Sequence, residues 1–396
     1  MITIDGKEGG GQLLRTSLLL SVITGKPFRL INIRGARDVP GLRAQHLTCI
    51  KAMLFITSGS TCEGAALGSR EIAFVPGSVS HANEFEFDIG TAGSVALLLQ
   101  CLAPAIAISK RDRGDPCPVT LTLRGGTHVS FAPLYEDISE SWVPMMKRFG
   151  FGIALNLEQA GFYPRGGGAI RAVISPCATL DSTLISWATR PALARIRIVS
   201  GVANASSRHQ QSKSKGKVKV KHASQPVSDG DALLTAEQNG QLVKKALRTT
   251  LRVSGVDVNS VSSSIEPVVY RAASPGQSVV LCCEFEGDDL CPTTFQSLGG
   301  DFDAAIGHCA EFVRHRYATV GAKLADQVLV PAVLVALDSS SSSSSRPTTT
   351  RLVTPSVTVH LTTHIDLLRS FTDVLISVAV DADGHASVDV APPGAV

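Results

Sequence analysis

The sequence lacks the features that mark several common classes of protein. None of its nine cysteines belongs to a Cys-x-x-Cys pair, so the spacing argues against a zinc site or a disulfide framework, and we expect reduced thiols. The first residues, Met1-Ile-Thr-Ile-Asp5, contain no basic segment followed by an apolar one, so we expect no secretory signal. The most apolar run, 92–108, is short for a membrane span and contains Gln100 and Pro104, which favours a buried helix.

The chain also has almost no excess of positive or negative charge. The 37 lysines and arginines offset 34 acidic residues and leave a formal charge of +3, so any contact with nucleic acid must come from local patches. The 396 residues suggest two or three domains, and the 44% of hydrophobic residues predict a sizeable core.

Three consecutive glycines stand directly before the first predicted helix (residues 12–24). Gly9-Gly-Gly11 permits a tight turn, and the helix start offers free N–H groups and a positive dipole end to an anion. No Gly-Lys-Ser/Thr follows, so this is not a Walker A loop. Glu8 would repel a phosphate unless a divalent cation lies between them. Residues 34–46 then supply a dense set of anion-binding side chains.

A strand, glycines, an amphipathic helix and a strand recur along residues 1–175, which predicts an α/β (α+β) architecture of repeated βα units. We expect a larger domain formed by 1–185 and 298–396, resumed by a helix from 303. A small α/β domain (186–297) is inserted, and 338–351 form a Ser/Thr linker. Within the insert, lysines alternate over 211–221. A solvated loop is the favoured interpretation, and contact with a phosphate backbone is the alternative.

Two segments near the carboxyl end carry unusual polar residues. Asp326-Gln327 interrupt an apolar stretch, 320–330, and buried polar groups need partners. Pro331 suggests a kink or an early helix end. Alternation over 356–364 predicts a strand whose polar face carries Thr358, His360 and Thr362.

Eight of these blocks, taken together, resemble the RNA 3′-terminal phosphate cyclase family. The matching segments occur in the family's order: Glu8-Gly-Gly-Gly-Gln-Leu-Leu-Arg15, Pro40-Gly-Leu-Arg-Ala-Gln-His46, Glu63-Gly-Ala-Ala-Leu-Gly-Ser69, Thr91-Ala-Gly-Ser94, Gly125-Gly-Thr127, Gly161-Phe-Tyr-Pro-Arg-Gly-Gly-Gly168, Leu324-Ala-Asp-Gln327 and His360-Leu-Thr-Thr363. The resemblance implies βα units similar to the C-terminal domain of translation initiation factor 3. It further implies ATP-dependent conversion of an RNA 3′-phosphate to a 2′,3′-cyclic phosphodiester, through a covalent histidine–AMP intermediate and with release of AMP and pyrophosphate.

The resemblance also implies roles for individual residues. His360 falls at the nucleophile position, with His364 as a rival outside the motif, and Glu8 at a position for Mg²⁺ or Mn²⁺. The positions expected to contact ATP are Gln12, Arg15, Gln100, Pro133, Lys323, Asp326, Gln327 and His360. The positions expected to hold the substrate phosphates are Arg34, Arg37, Arg43, Gln45 and His46. Lys323 departs from the family pattern, because we expect an aromatic residue or a histidine there.

Two other interpretations remain open at this point. One is a catalytically inactive, cyclase-like RNA-binding protein of ribosomal RNA processing and ribosome assembly, which would lack the nucleophilic histidine. The other is an enzyme similar to carboxyvinyl transferases, which the motifs of His360 and His46 do not suit. We favour the active cyclase, with an RNA 3′-phosphate end as its partner, no membrane contact, and a nuclear or cytoplasmic location.

Overall fold

The computed structural model describes residues 1–177, 179–180, 190–205, 228–287, 293–341, 349–382 and 384–394. Within these ranges the chain is a mixed α/β protein with four sheets of three or four strands and one two-stranded sheet. No helix in the described part is long and apolar enough to span a membrane. The lysine-rich segment 211–221 and residues 342–348 of the expected linker lie outside the described residues.

The first unit follows the order β-α-β-α-β-β, with two short additional strands. Its elements are β1 (Ile2–Asp5), α1 (Gly10–Thr24), β2 (Phe28–Ile31), α2 (Ala44–Ile56), β3 (Thr57–Ser58), β4 (Thr61–Glu63), β5 (Ile72–Val75) and β6 (Ser78–Val79). The main sheet has the order β1-β2-β5-β4, and only β1 and β2 are parallel. Gly25 follows α1 in the left-handed conformation, in which glycine commonly ends a helix.

The second unit repeats this topology. Its elements are β7 (Glu84–Asp88), α3 (Val95–Asp112), β8 (Val119–Gly125), α4 (Tyr135–Asp137), a π-helical turn (Ile138–Trp142), α5 (Val143–Arg148), β9 (Ile153–Gln159) and β10 (Gly168–Ile174). The sheet order is β7-β8-β10-β9, and again only the first pair is parallel. The recurring strand–glycine–helix pattern therefore corresponds to a recurring sheet. Similarity to the C-terminal domain of translation initiation factor 3 stays a prediction.

The inserted unit contains β11 (Leu193–Ala205), α6 (Asp229–Val253), β12 (Ser262–Ala272), β13 (Gly276–Phe285), β14 (Thr293–Leu298) and α7 (Asp303–Arg314). Its sheet has the order β12-β11-β13-β14. We expected α7 to resume the larger domain, but Ile306 and Phe312 pack in one core with Val243 and Leu281 of the insert. We therefore propose that the insert ends near residue 318 instead of 297.

The third unit contains α8 (Ala322–Ser341), β15 (Thr350–Thr354), α9 (Val359–Phe371), β16 (Leu375–Val380) and β17 (Ala386–Ala391). Its sheet order, β15-β17-β16, matches the last three strands of the other two sheets. The helix α8 continues past Pro331 for ten residues, so the proline does not end it early. Apolar side chains from all three units, including Leu14, Leu99 and Val328, form one core.

The structure corrects two predicted elements near the expected site. The strand predicted over 356–364 is wrong, because α9 begins at Val359 and the Thr358 hydroxyl caps it by accepting a hydrogen bond from the Leu361 N–H at 3.0 Å. His360 therefore lies on the first turn of a helix and shares no strand face with Thr358 and Thr362. Pro40 is of a type common at the first position of a helix, and the sequence predicts a helix from Gly41, but α2 begins at Ala44.

Candidate active site

One cleft of about 850 Å³ is lined by residues from the first turns of five helices. These include Gly11 of α1, Gln45 of α2, Leu97 of α3, Lys323 of α8 and His360 of α9. The first turn of a helix has unpaired N–H groups and the positive end of the helix dipole. Several such turns around one cleft make it suited to a ligand with more than one anionic group.

Four arginines reinforce this preference for anions. Arg15, Arg34, Arg37 and Arg43 all line the cleft, and none of them belongs to an ion pair within the described part of the chain. The Arg34 guanidinium donates to the carbonyl oxygens of Val39 at 2.8 Å and Gly41 at 3.2 Å, which orients it. Arginines without carboxylate partners are the side chains that bind phosphate through two parallel hydrogen bonds.

The cluster keeps His46 neutral. Burial, and then the positive charges of Arg15, Arg34 and Arg43, lower the pKa of His46 to about 3. Its Nδ1 accepts a hydrogen bond from the Arg43 backbone N–H at 3.1 Å, so the ring carries its proton on Nε2. That nitrogen faces Gly11, where a Cβ atom would lie only 2.4 Å away. Glycine at position 11 therefore leaves room for the imidazole.

A buried network joins α1, α8 and α9 behind the cleft. His364 Nδ1 lies 3.0 Å from Asp326 Oδ1 and 2.8 Å from Gln12 Nε2, and His364 Nε2 lies 3.0 Å from Thr16 Oγ1. The Gln12 amide also donates to Asp326 Oδ1 at 2.6 Å. Burial raises the pKa of Asp326, but the hydrogen bonds from His364 and Gln12 and the electrostatic effect of the two nearby histidines together outweigh it, so the net pKa is lowered. Both ring nitrogens of His364 are thus occupied.

His360 has the opposite environment. Its side chain is exposed and lines the cleft, one turn before His364 on α9. Its imidazole makes no hydrogen bond within the described residues; its backbone carbonyl accepts one from Thr363. An imidazole ring with a free nitrogen can act as a nucleophile. A ring whose two nitrogens are both engaged in hydrogen bonds has no lone pair available for attack. The geometry therefore separates the two histidines that the sequence left as rivals.

Part of the cleft lining is apolar and buried, and two amide side chains belong to the same lining. Trp142, Met146 and Val330 line it and are buried. The Gln100 amide donates to Gln327 Oε1 at 2.8 Å and so connects α3 to α8. A flat apolar ring with polar edges, such as a nucleobase, matches a recess of this composition.

Comparison with known proteins identifies the family of this chain. The sequence model of RNA 3′-terminal phosphate cyclase matches residues 6–378. The chain belongs to this family. It is 33% identical over 387 residues to the RNA 3′-terminal phosphate cyclase of Ralstonia nicotianae, covering 96% of this chain and 94% of the relative. The cyclase of Ectopseudomonas mendocina is 42% identical over 177 residues, 45% of this chain and 50% of the relative. That of Saccharolobus islandicus is 45% identical over 172 residues, 43% of this chain and 48% of the relative.

The matches confirm the family resemblance and the enzyme class that the sequence predicts. Every predicted site residue of this cyclase-family chain except Glu8 lines the cleft. Gln45 reaches across to α3, where its Oε1 accepts a hydrogen bond from the Ser94 N–H at 3.1 Å. Glu8 is exposed and lies outside the cleft lining. Its role in metal binding stays a prediction, as do the roles of the other residues.

The sequence interpretation missed Asp137, a buried carboxyl group that lines the same cleft. Burial raises its pKa to about 6, against the lowering effect of a hydrogen bond from Thr294 and of the charge on Lys323. The signal in the sequence is the adjacent pair Glu136-Asp137 near the start of a helix that the pattern predicts over about 133–149. Lys323, which departs from the family pattern, therefore lies close enough to Asp137 to influence its ionisation.

Proposed function

We propose that this protein converts an RNA 3′-terminal phosphate to a 2′,3′-cyclic phosphodiester with ATP, and that His360 carries AMP during the reaction. The observation that supports this most strongly is the contrast on α9. Within the described residues, the His360 imidazole makes no hydrogen bond and lines a cleft whose four arginines belong to no ion pair, while both ring nitrogens of the neighbouring His364 have hydrogen-bond partners.

In the first step, a ring nitrogen of His360 attacks the α-phosphorus of ATP. A phosphorus–nitrogen bond forms, the bond to the bridging oxygen breaks, and pyrophosphate leaves. Arg15 and the first-turn N–H groups of α1 and α9 would stabilise the negative charge of the phosphates. This step demands positioning and charge neutralisation more than acid–base chemistry.

In the second step, an oxygen of the RNA 3′-phosphate attacks the AMP phosphorus and His360 leaves, so the RNA end becomes a mixed anhydride. In the third step, the neighbouring 2′-hydroxyl attacks the RNA phosphorus and AMP leaves. Two phosphate groups must then be held at once, and Arg34, Arg37 and Arg43 provide three guanidinium groups for them.

We propose that a divalent cation binds together with the nucleotide. No group of three or more His, Cys, Asp or Glu side chains could hold a metal ion within the described residues. Mg²⁺ in nucleotide sites is commonly held by one or two carboxylates plus phosphate oxygens and water. Glu8, two residues before α1, would be the protein ligand, and the ion would offset its repulsion from the phosphates.

Cyclisation can be tested on an oligoribonucleotide with a 3′-phosphate, incubated with the protein, ATP and Mg²⁺ or Mn²⁺. The end should become resistant to phosphatase and sensitive to acid hydrolysis, and one AMP should appear for each end cyclised. Arg43→Ala should slow the conversion without unfolding the protein. RNA binding with no AMP release would instead favour the inactive, cyclase-like RNA-binding protein.

A further inference from the structure

A single aromatic ring stands fully in solvent at the mouth of the cleft. Phe131 lines the cleft, yet the residue is fully exposed to solvent. An isolated phenylalanine that contacts no apolar neighbour loses the stabilisation that burial would give, about 2 kcal/mol. The neighbouring Val129 and Ala132 are buried, so only the tip of the turn, Ser130 and Phe131, projects.

The backbone of this turn is strained. Phe131 has φ = 61°, in the left-handed region that bulky residues rarely adopt. Such a conformation persists only where the surrounding structure enforces it, and it is concentrated at functional sites. Glycine would be the residue expected here if the turn served the fold alone.

Both sides of the turn are anchored. On one side, His128 stacks on Phe162 with ring centroids 4.7 Å apart, and its Nε2 lies 2.9 Å from Glu136 Oε2. On the other side, the Gln296 amide donates to the Ala132 carbonyl at 2.8 Å and accepts from the Leu134 N–H at 2.6 Å. The exposed ring is therefore presented by a turn that is fixed at each end.

Phe131 is exposed, whereas the apolar recess of the cleft is buried. This difference indicates which nucleobase, that of ATP or that of the RNA, each could contact. The buried recess lined by Trp142 and Met146 can enclose the base of a mononucleotide. A ring at the rim suits a ligand that continues out of the cleft. An RNA chain does so, because its 3′-phosphate must reach the arginines while the rest of the strand stays outside.

We propose that Phe131 is a stacking platform for the terminal nucleobase of the RNA substrate. This inference rests on the proposed function, since it assumes that an RNA 3′ end enters the cleft. Stacking on an aromatic side chain is tolerant of base identity, so the platform would position the RNA end without selecting its sequence.

The direct test measures binding without turnover. A 3′-phosphorylated oligoribonucleotide with 2-aminopurine as its last base should lose fluorescence when it binds the protein. Phe131→Ala should weaken this binding by about tenfold, which is within the range for loss of one stacked base, and should abolish the quenching. Phe131→Trp should restore both, and Tyr317→Ala, an exposed aromatic outside the cleft lining, should match the wild type.

Steady-state kinetics separates the two possible bases. Phe131→Ala should raise KM for RNA about tenfold and KM for ATP much less. The reverse pattern would assign the ring to the base of ATP and overturn the proposal. Failure of the wild type to cyclise RNA would reject the proposed function, whereas equal binding of the 2-aminopurine probe by wild type and Phe131→Ala would reject only the stacking platform.

The thermal midpoint of a Phe131 variant tests whether this side chain stabilises the fold. Because Phe131 is fully exposed and its backbone is left-handed, Phe131→Gly should have a thermal midpoint equal to or above that of the wild type. The same variant should lose the quenching of 2-aminopurine. A clearly lowered midpoint would show that Phe131 supports the fold and would contradict the proposal.

Discussion

At the scale of single residues, the three histidines of the cleft differ in reactivity because their environments differ. His360 and His364 are one helical turn apart on α9, but in the part of the chain that the structure describes only the His364 ring has hydrogen-bond partners. His46 is neutral because it is buried beside Arg15, Arg34 and Arg43, so it can donate through Nε2 without adding charge. We expect His46 and His364 to position groups and His360 to react.

Asp137 allows a test of buried charge through pH. Its pKa in the folded protein, about 6, lies above its ordinary value of 3.8. Between these two pH values, the folded state therefore keeps a proton that the unfolded state has released. The resulting stabilisation is complete below about pH 4 and is lost as the pH rises through 6. Asp137→Asn removes this titration. The stability of the variant relative to wild type should therefore be about 1 kcal/mol greater at pH 8 than at pH 5.

Denaturant unfolding at the two pH values measures this difference. Asp338→Asn is a suitable comparison, because it removes a carboxyl group that pairs with Arg111 and lies outside the cleft lining. A relative stability of Asp137→Asn that is the same at pH 5 and pH 8 would show that this carboxyl group has an ordinary pKa in the folded protein.

At the scale of elements, the site depends on where helices begin. The first turns of α1, α2, α3, α8 and α9 line one cleft, so each unit contributes helix ends to it. Gly11 illustrates how tightly α1 approaches α2. A Cβ atom at this position would lie 2.4 Å from His46 Nε2 and 2.9 Å from an Arg15 guanidinium nitrogen.

Substitution of Gly11 should therefore damage the site more than the fold. Gly11→Ala should displace His46 and Arg15 and reduce cyclisation at least about tenfold, a loss comparable to that of one positioned charged contact. Gly307→Ala is the matched control, since Gly307 is also helical and a Cβ there would contact nothing within 4 Å. The control should keep full activity and gain up to about 1 kcal/mol of stability. Normal activity of Gly11→Ala would show that His46 and Arg15 can move without consequence.

The sequence predicts most helices and strands because their patterns are local, but it fails where two patterns overlap. Residues 356–364 alternate like a strand, yet Thr358 is also a good helix cap, and Leu361, Ile365 and Leu368 recur at helical spacing. Burial of those three side chains decides in favour of the helix. The placement of α7 in the insert depends on long-range packing, which no local pattern encodes.

For the site, the motifs predict which residues approach the cleft, but they do not predict how those residues are used. Nothing in the sequence indicates that His364 is held by Gln12 and Thr16, because these contacts join residues about 350 positions apart. The strained turn at Phe131 is equally invisible, since the anchoring Gln296 comes from the insert.

At the scale of the whole molecule, three similar units share one core, and the insert attaches to the second unit beside the cleft. Gln296 of β14 holds the backbone at Ala132 and Leu134, Tyr270 donates to Glu136 Oε1 at 2.6 Å, and Arg197 pairs with Glu140. All four partners lie between residues 132 and 140, a segment that also lines the cleft. The insert therefore supports one wall of the site.

Loss of the Gln296 contacts should loosen that wall. Gln296→Ala leaves the Leu134 N–H and the Ala132 carbonyl without partners, at a cost of about 2 kcal/mol. Amide hydrogen exchange at Leu134 should accelerate, and KM for RNA should rise. Gln241→Ala removes an exposed glutamine on α6 whose amide donates to Glu237 of the same helix, and it should change neither. Unchanged exchange at Leu134 would show that the insert does not hold this segment.

The most direct test of the account asks whether His360 bonds to AMP. The protein is incubated with ATP radiolabelled at the α-phosphate and with Mg²⁺ or Mn²⁺, without RNA, and is then denatured. We predict an acid-labile covalent label on the wild type and none on His360→Ala, which should fold normally because the His360 ring is exposed. An undiminished label on His360→Ala, or no label on the wild type, would contradict the assignment of His360 as the nucleophile.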